Sequence, residues 1–337
     1  MFFFIQHDIE RFYEYHHVSS SRIDPFSMSS QVSLRNTRPA VLLLHCPEIE
    51  CAYVLNLVFT EFCDSFVRAG YEVRWVTRIE DICDDAIVFV GNGLTHPDID
   101  GLCRRLAHQA PRAQYVGWYW QRWKSAVEAA GLRFLYVHEN GLVPTDKMSE
   151  PQLREMMLQI PAKLRCPLLL RANDPPDKIG RYERNPVRDY IYMGCPYCPE
   201  LVPDAGSNFT GIYYNTNDLS KYVRYDARRL HYLTSHFALG FQSIENIRNG
   251  HVSQRIYEGM AYGCIVLTNS WPAHEQTGGI AVYVSSREDL ESKMRYFLDH
   301  PDEMDQKREE GYAFVRREGT NDYARKLLLT HIENART

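Results

Sequence analysis

The sequence predicts an α/β protein built from two Rossmann-like, doubly wound domains that face a central cleft. Three observations carry this expectation. Short apolar runs of the kind buried in parallel sheets recur along the chain, among them Ala40–His45, Ala86–Gly91 and Cys264–Leu267. Stretches with helical apolar spacing alternate with them, in the strand, crossover, strand order that a parallel sheet requires. A chain of 337 residues also exceeds what one compact core usually holds, so two lobes are expected.

Each element follows from local pattern. Residues 1–36 are aromatic at first (Phe12, Tyr13, Tyr15) and then Ser-rich from Ser19 to Ser33, which suggests a loosely attached arm. The first domain is placed at 37–172. Ala40–His45 (AVLLLH) is its opening strand. The helix Tyr53–Ala69 follows, because Val54, Leu57, Val58, Phe62 and Phe66 recur at helical spacing and Gly70 supplies the stop. Next come strands at Glu72–Thr77 and Ala86–Gly91, a helix at Ile99–Gln109, a strand at Gln114–Trp118, a helix around Trp123–Ala130 and a strand at Phe134–His138. The run WYWQRW is too rich in polar-tipped rings to bury fully, so Trp118, Tyr119, Trp120 and Trp123 are read as partly exposed, at the cleft or at an interface. Lys147–Arg165 is helical but broken by Pro151 and Pro161, and the apolar Pro167–Arg171 closes the domain.

Pro175, Pro176 and Pro186 lie in a charged segment without apolar period, which marks 173–188 as a hinge. The second domain, 189–320, opens with the strand Tyr190–Gly194, whose terminal Gly194 stands where a parallel sheet places its ligand loops. Phe209–Tyr214, Phe237–Phe241, Cys264–Leu267 and Ala281–Val284 supply further strands. Arg287–His300 is a core helix, with Leu290, Met294, Phe297 and Leu298 on one face. A last helix, Tyr323–Ile332, occupies the terminal segment 321–337.

Composition narrows the function. A formal net charge of −5 with scattered Lys and Arg gives no basic footprint, so nucleic acid is not expected as a partner. No run approaches the ~18–20 apolar residues of a membrane span, and MFFFI at the start is followed at once by polar residues, which suits neither a signal peptide nor an anchor. The nine cysteines are odd in number and mostly set in apolar segments, which suggests a reducing, cytoplasmic compartment. The one close pair, Cys195-Pro-Tyr-Cys198, has no second pair to complete a zinc set and is read as a tight turn with packed thiols.

The stretch Ser235–Ser270 is the most informative. It reads as a strand, a polar loop (Glu245–Ser253), a helix and a second strand. The helix carries Gln254 and Arg255 in its first turn, where exposed amides already favour an anion, and a guanidinium there suits a phosphate. Glu258 lies three residues after Arg255 on the same helix face, placed to accept from a ribose diol. Spacing alone also fits a surface ion pair of a few tenths of a kcal/mol. The preceding loop, the Gly263 stop and the apolar strand after it argue instead for a ligand site. Asn246 and Tyr214, the latter within a Tyr-Tyr-Asn loop, are candidate neighbours of a nucleoside.

The run Ser253, Arg255, Glu258, Gly259, Met260, Ala261, Gly263, Cys264, Ile265, Val266, Leu267 resembles the donor-site signature of GT-B glycosyltransferases of the group 1 type. Within that fold it is most similar to the CgeB-like and exostosin-like branches, and more loosely to the α1,3-fucosyltransferases. The resemblance covers residues 189–330 well and the first half by pattern. It implies a UDP- or GDP-sugar donor with Arg255 on the diphosphate and Glu258 on the ribose, a glycan or other hydroxyl acceptor, and a last helix that crosses back onto the first domain. Retaining members of the wider superfamily carry an E-x7-E pair, but here Gly250 stands eight residues before Glu258, so an inverting displacement is expected. The family generally lacks a D-x-D metal motif, and neither Asp84-Asp85 nor Asp174–Asp177 has that form, so no metal or cofactor is expected. A base is then needed from the first domain. Glu48 follows the first strand, and His138 and Glu139 end a later one. A catalytically silent nucleotide-sugar-binding module and a sugar-nucleotide epimerase are the competing functions.

Overall fold

The computed structural model describes residues 40–44, 53–76, 78–90, 98–118, 121–137, 165–166, 171–194, 198–204, 206–215, 225–248 and 252–336. All of them fall within one unit by contact, Pro39–Thr337. The candidate residues Glu48, His138 and Glu139, the arm 1–36 and most of the Lys147–Arg165 stretch lie outside the described residues, as do the side chains of Trp118, Trp123 and Tyr214.

The first sheet has six parallel strands: β1 (Val41–Leu44), β2 (Val73–Val76), β3 (Ile87–Val90), β4 (Gln114–Trp118), β5 (Phe134–Val137) and β6 (Arg165–Cys166). Their spatial order is β2-β1-β3-β4-β5-β6, with Val41 opposite Val73 on one side and Ile87 on the other. Helices α1 (Tyr53–Arg68), α2 (Ile99–Gln109) and α3 (Gln121–Ala130) make the crossovers. Successive residues of a strand enter different cores. Leu42, Val88 and Tyr115 pack with Leu102 and Leu106 of α2 and Val127 of α3. Val41, Ile87, Phe89 and Val116 pack on the other face with Phe62 and Phe66 of α1. Covering both faces is why these strands read as continuous apolar runs rather than alternating ones.

The second sheet holds β7 (Arg188–Gly194), β8 (Gly211–Asn215), β9 (Ser235–Leu239), β10 (Ile265–Thr268) and β11 (Val282–Tyr283), all parallel, in the order β11-β10-β9-β7-β8. Its helices are α4 (Tyr225–Leu233), α5 (Ile244–Arg248), α6 (Gln254–Ala261), α7 (Trp271–Gln276), α8 (Arg287–Asp299) and α9 (Pro301–Glu318). Gly263, at φ +77°, ends α6. Its N–H reaches Met260 O and the Cys264 N–H reaches Gly259 O, a stop that a residue with a Cβ adopts only under strain.

The last helix, α10 (Asn321–Arg336), leaves the second lobe. Ala324, Leu328 and Ile332 join the α1 face of the first sheet, and Arg68 Nη2 donates to Asp322 Oδ2 at 2.7 Å. The chain thus closes on the lobe it began with.

Several elements differ from the sequence reading. The strand expected at Phe237–Phe241 sits two residues earlier, and the polar loop Glu245–Ser253 begins as the short helix α5. The 18-residue helix α9 had no counterpart in the reading. The proline-rich connection starts buried: Asn173 and Asp174 are 1% and 6% exposed. Asn173 accepts from Asn321 Nδ2 and donates to Asp64 Oδ2, so side-chain hydrogen bonds anchor a segment that composition alone reads as solvated.

Candidate functional site

In a doubly wound sheet, ligands lie beyond the carboxyl ends of the strands at the point where the winding direction reverses. In the second sheet that point falls between β7 and β9, because β8 lies on one side of β7 while β9, β10 and β11 lie on the other. β7 ends at Met193-Gly194. β9 runs on into Gly240, Phe241 and Gln242, then through α5 to the start of α6.

Ser253 is the N-cap of α6, with extended backbone (φ −67°, ψ 144°), yet its hydroxyl makes no capping bond. It accepts from Arg255 Nε at 2.8 Å instead. Arg255 Nη1 donates to the Met193 carbonyl at 2.5 Å. The guanidinium is therefore strapped from the first turn of α6 to the end of β7. Among the described residues only Nε and Nη1 make hydrogen bonds, which leaves Nη2 for an incoming oxygen. Gly194 makes the room, since a Cβ there would overlap Arg255 Nη1. Ser253, Arg255 and Gly194 meet at one place, beside the positive end of a helix.

Glu258, one turn along α6, is 3% exposed. Arg228 of α4 holds it, with Nη2 at 2.7 Å from Oε1 and Nε at 3.3 Å from Oε2. The same guanidinium reaches Glu61 on α1, in the first lobe, through Nη2 at 2.7 Å from Oε2 and Nη1 at 3.2 Å from Oε1. Gln254 Nε2 donates to both carboxylates, at 3.1 Å to Glu258 and 3.4 Å to Glu61. Tyr232 Oη adds a donor 3.5 Å from Glu258 Oε2. Burial pushes the Glu258 carboxyl above its usual range against the opposing pull of Arg228.

Other residues have simpler surroundings. Asn246 is exposed on α5, with its backbone N–H on Ser243 Oγ at 3.2 Å. Tyr214 lies on β8, opposite Met193 of β7. Gln242 is 2% exposed, and neither carboxamide atom finds a hydrogen-bond partner among the described residues. An orphaned amide of this kind at the carboxyl end of β9 marks a place for water or a ligand group. Cys198 is buried and donates to Gln242 O at 3.3 Å.

Among the described residues no group of three or more His, Cys, Asp or Glu side chains is placed to hold a metal ion. Asp174 accepts from Tyr262 Oη at 2.9 Å and pairs with Arg229, and Asp84 pairs with Arg112. Also among the described residues, no helix is long and apolar enough to cross a membrane.

Sequence reasoning did not single out Arg228, Glu61 or Tyr232. Arg228 shows only as part of an Asp-Ala-Arg-Arg run, and Glu61 as one polar residue of an amphipathic helix. Their meeting is a tertiary event.

A family model described as "Glycosyl transferase-like" matches residues 202–329, which hold β8 to β11 and α4 to α9. No curated protein matches the chain. Among solved structures, an alpha-glucosyltransferase in complex with UDP is similar at a TM-score of 0.55 and 10% identity, over 87% of this chain and 99% of that one. An alpha-glucosyltransferase in complex with UDP-glucose and DNA containing an abasic site is similar at a TM-score of 0.56 and 11% identity, over 87% and 98%. At such identity the likeness speaks for the fold, which is GT-B: two Rossmann-like lobes, each a parallel sheet with helices.

Proposed function

We propose that this protein is a glycosyltransferase that takes its sugar from a nucleotide diphosphate donor, in the first instance a UDP-sugar, and passes it to a hydroxyl acceptor such as a glycan. The observation that carries the reading is the seat of Arg255 at the reversal point of the second sheet. A guanidinium there, with a helix N-terminus behind it, can take up the charge that develops on a departing diphosphate. The glycosyl transferase-like match over the same lobe supports it, as do the complexes of the similar alpha-glucosyltransferases with UDP and UDP-glucose. One of those alpha-glucosyltransferase complexes also contains DNA. With a net charge of −5, we keep a neutral hydroxyl compound as the proposed acceptor.

Placement in the CgeB-like or exostosin-like branch rests on the Ser253–Leu267 run, and a cytoplasmic setting on the cysteine usage. The diphosphate is held without a metal. Gly194, Gln254, Asn246 and Tyr214 border the donor, and Glu48, His138 or Glu139 supplies the base. Inversion is favoured by Gly250, and retention by the name of the alpha-glucosyltransferases. The anomeric coupling of the product in a proton spectrum separates the two.

The test is Arg255→Ala. Donor turnover and UDP binding should be lost while circular dichroism and the melting transition stay near those of the wild type. Turnover at the wild-type rate removes the site assignment.

A further inference from the structure

We propose that Arg228 and Glu61 form a cross-lobe relay for the donor ribose, in which Arg228 releases the Glu258 carboxylate to the ribose hydroxyls by settling wholly on Glu61. The proposal rests on the donor-site reading above and adds to it a positioning residue from each lobe.

Four donors meet Glu258: Arg228 Nη2 and Gln254 Nε2 at Oε1, Arg228 Nε and Tyr232 Oη at Oε2. A carboxylate offers about four lone-pair positions, so this one is full. Two hydroxyls can reach it only if protein donors withdraw. Arg228 can withdraw without being stranded, because its other edge already holds Glu61 in a forked pair at 2.7 and 3.2 Å. The side chains of Arg228 and Glu61 are each 12% exposed and that of Glu258 4%, so water does not replace a missing partner easily. Two carboxylates share one guanidinium here. A ribose diol brings two O–H donors to the side that Arg228 leaves, and every acceptor stays matched.

Glu61 is what makes the exchange cheap. With a carboxamide at 61, the charge that competes with Glu258 for Arg228 across this pair is gone and Arg228 binds Glu258 more firmly, so the ribose must displace a stronger pair. Glu61 lies on α1 of the first lobe, outside the donor lobe, and acts through Arg228. Occupancy of the donor site is thereby felt across the cleft.

The experiment measures, by calorimetry, the affinity of the full chain for UDP and for dideoxyuridine diphosphate, which lacks both ribose hydroxyls. Wild type should prefer UDP by roughly tenfold or more, the scale of hydrogen bonds to a charged acceptor. In Glu61→Gln the preference should fall to about threefold or less, mainly through weaker UDP binding, and Glu61→Asp, which keeps the charge, should restore most of it. A preference unchanged in Glu61→Gln overturns the relay. Equal loss in Glu61→Gln and Glu61→Asp also overturns it, because packing rather than charge would then be at work. A wild type that binds both nucleotides equally sinks the relay and leaves nucleotide binding standing. A wild type that binds neither takes down the UDP-donor reading as well.

Discussion

Gly194→Ala separates the function of the site from the stability of the fold. A methyl at 194 would overlap Arg255 Nη1 and come within 3.1 Å of Arg255 Cζ and Tyr192 Cε2. The nearest atoms belong to the far end of a flexible side chain, so the guanidinium yields before the backbone does. Gly194 is not among the glycines with positive φ, so alanine fits its backbone, and the folding free energy should stay within about 1 kcal/mol of wild type. Arg255, however, loses its place on the Met193 carbonyl, and the bonds to a diphosphate that we propose for it go with it. Charged hydrogen bonds contribute about 1.5–3 kcal/mol, which converts to roughly 10- to 150-fold in Kd. Calorimetric titration with UDP and urea unfolding of the same preparation read the two quantities side by side. Wild-type affinity in a variant of wild-type stability would refute the reasoning. So would a loss of several kcal/mol in stability, because the backbone rather than the guanidinium would then have absorbed the methyl.

Two further outcomes follow from packing and burial. Gly259→Ala places a Cβ 2.8 Å from both Ala238 Cβ and Val266 Cγ2, neither of which can swing away, and should cost about 1–2 kcal/mol after the helical gain of alanine is counted. A urea midpoint at or above that of wild type contradicts the close seating of α6 on β9 and β10. Burial lowers the pKa of His236, and Arg308 Nη2 donates to its Nδ1 at 3.3 Å, an arrangement that needs the neutral ring. The folded pKa then lies below the ordinary histidine value of 6.5, so the unfolded chain takes up protons first as pH falls. The stability that His236 contributes is present above about pH 6.5 and declines toward its folded pKa, so melting temperatures should fall less between pH 7 and 5.5 in His236→Gln than in wild type. Parallel curves would count against it.

What the sequence disclosed was what local chemistry encodes. Parallel strands covered on both faces are apolar throughout, so Val41–Leu44, Ile87–Val90 and Ile265–Thr268 could be read directly. Gly263 announced the end of α6 because few other residues take positive φ without strain. α9 escaped notice although Pro301 stands in its first turn with Asp302 and Glu303 beside it. Its buried residues are Met304 and then Gly311, Tyr312, Phe314 and Val315, and the charged residues between them interrupt the apolar period. The start of the hinge misled for the opposite reason. Asn173 and Asp174 are polar yet buried, because their partners Asn321, Asp64, Tyr262 and Arg229 come from distant parts of the chain.

The same limit governs the site. Arg255, Ser253 and Glu258 lie within six residues of one another, and a helix start fixes their relation, so spacing alone could propose an anion site there. The cage around Glu258 could not be proposed that way, since Arg228 is 30 residues away in sequence from Glu258 and 167 from Glu61. That separation has a physical consequence. A helix N-terminus can bind a phosphate on its own, but Glu258 is held by a residue that also holds the other lobe. On the proposed reading, the phosphate half of the site is thus a property of one lobe, and the ribose half a property of two. Changes confined to the α1 face of the first lobe should alter ribose selectivity more than diphosphate affinity, and that asymmetry distinguishes a cross-lobe relay from an ordinary buried ion pair.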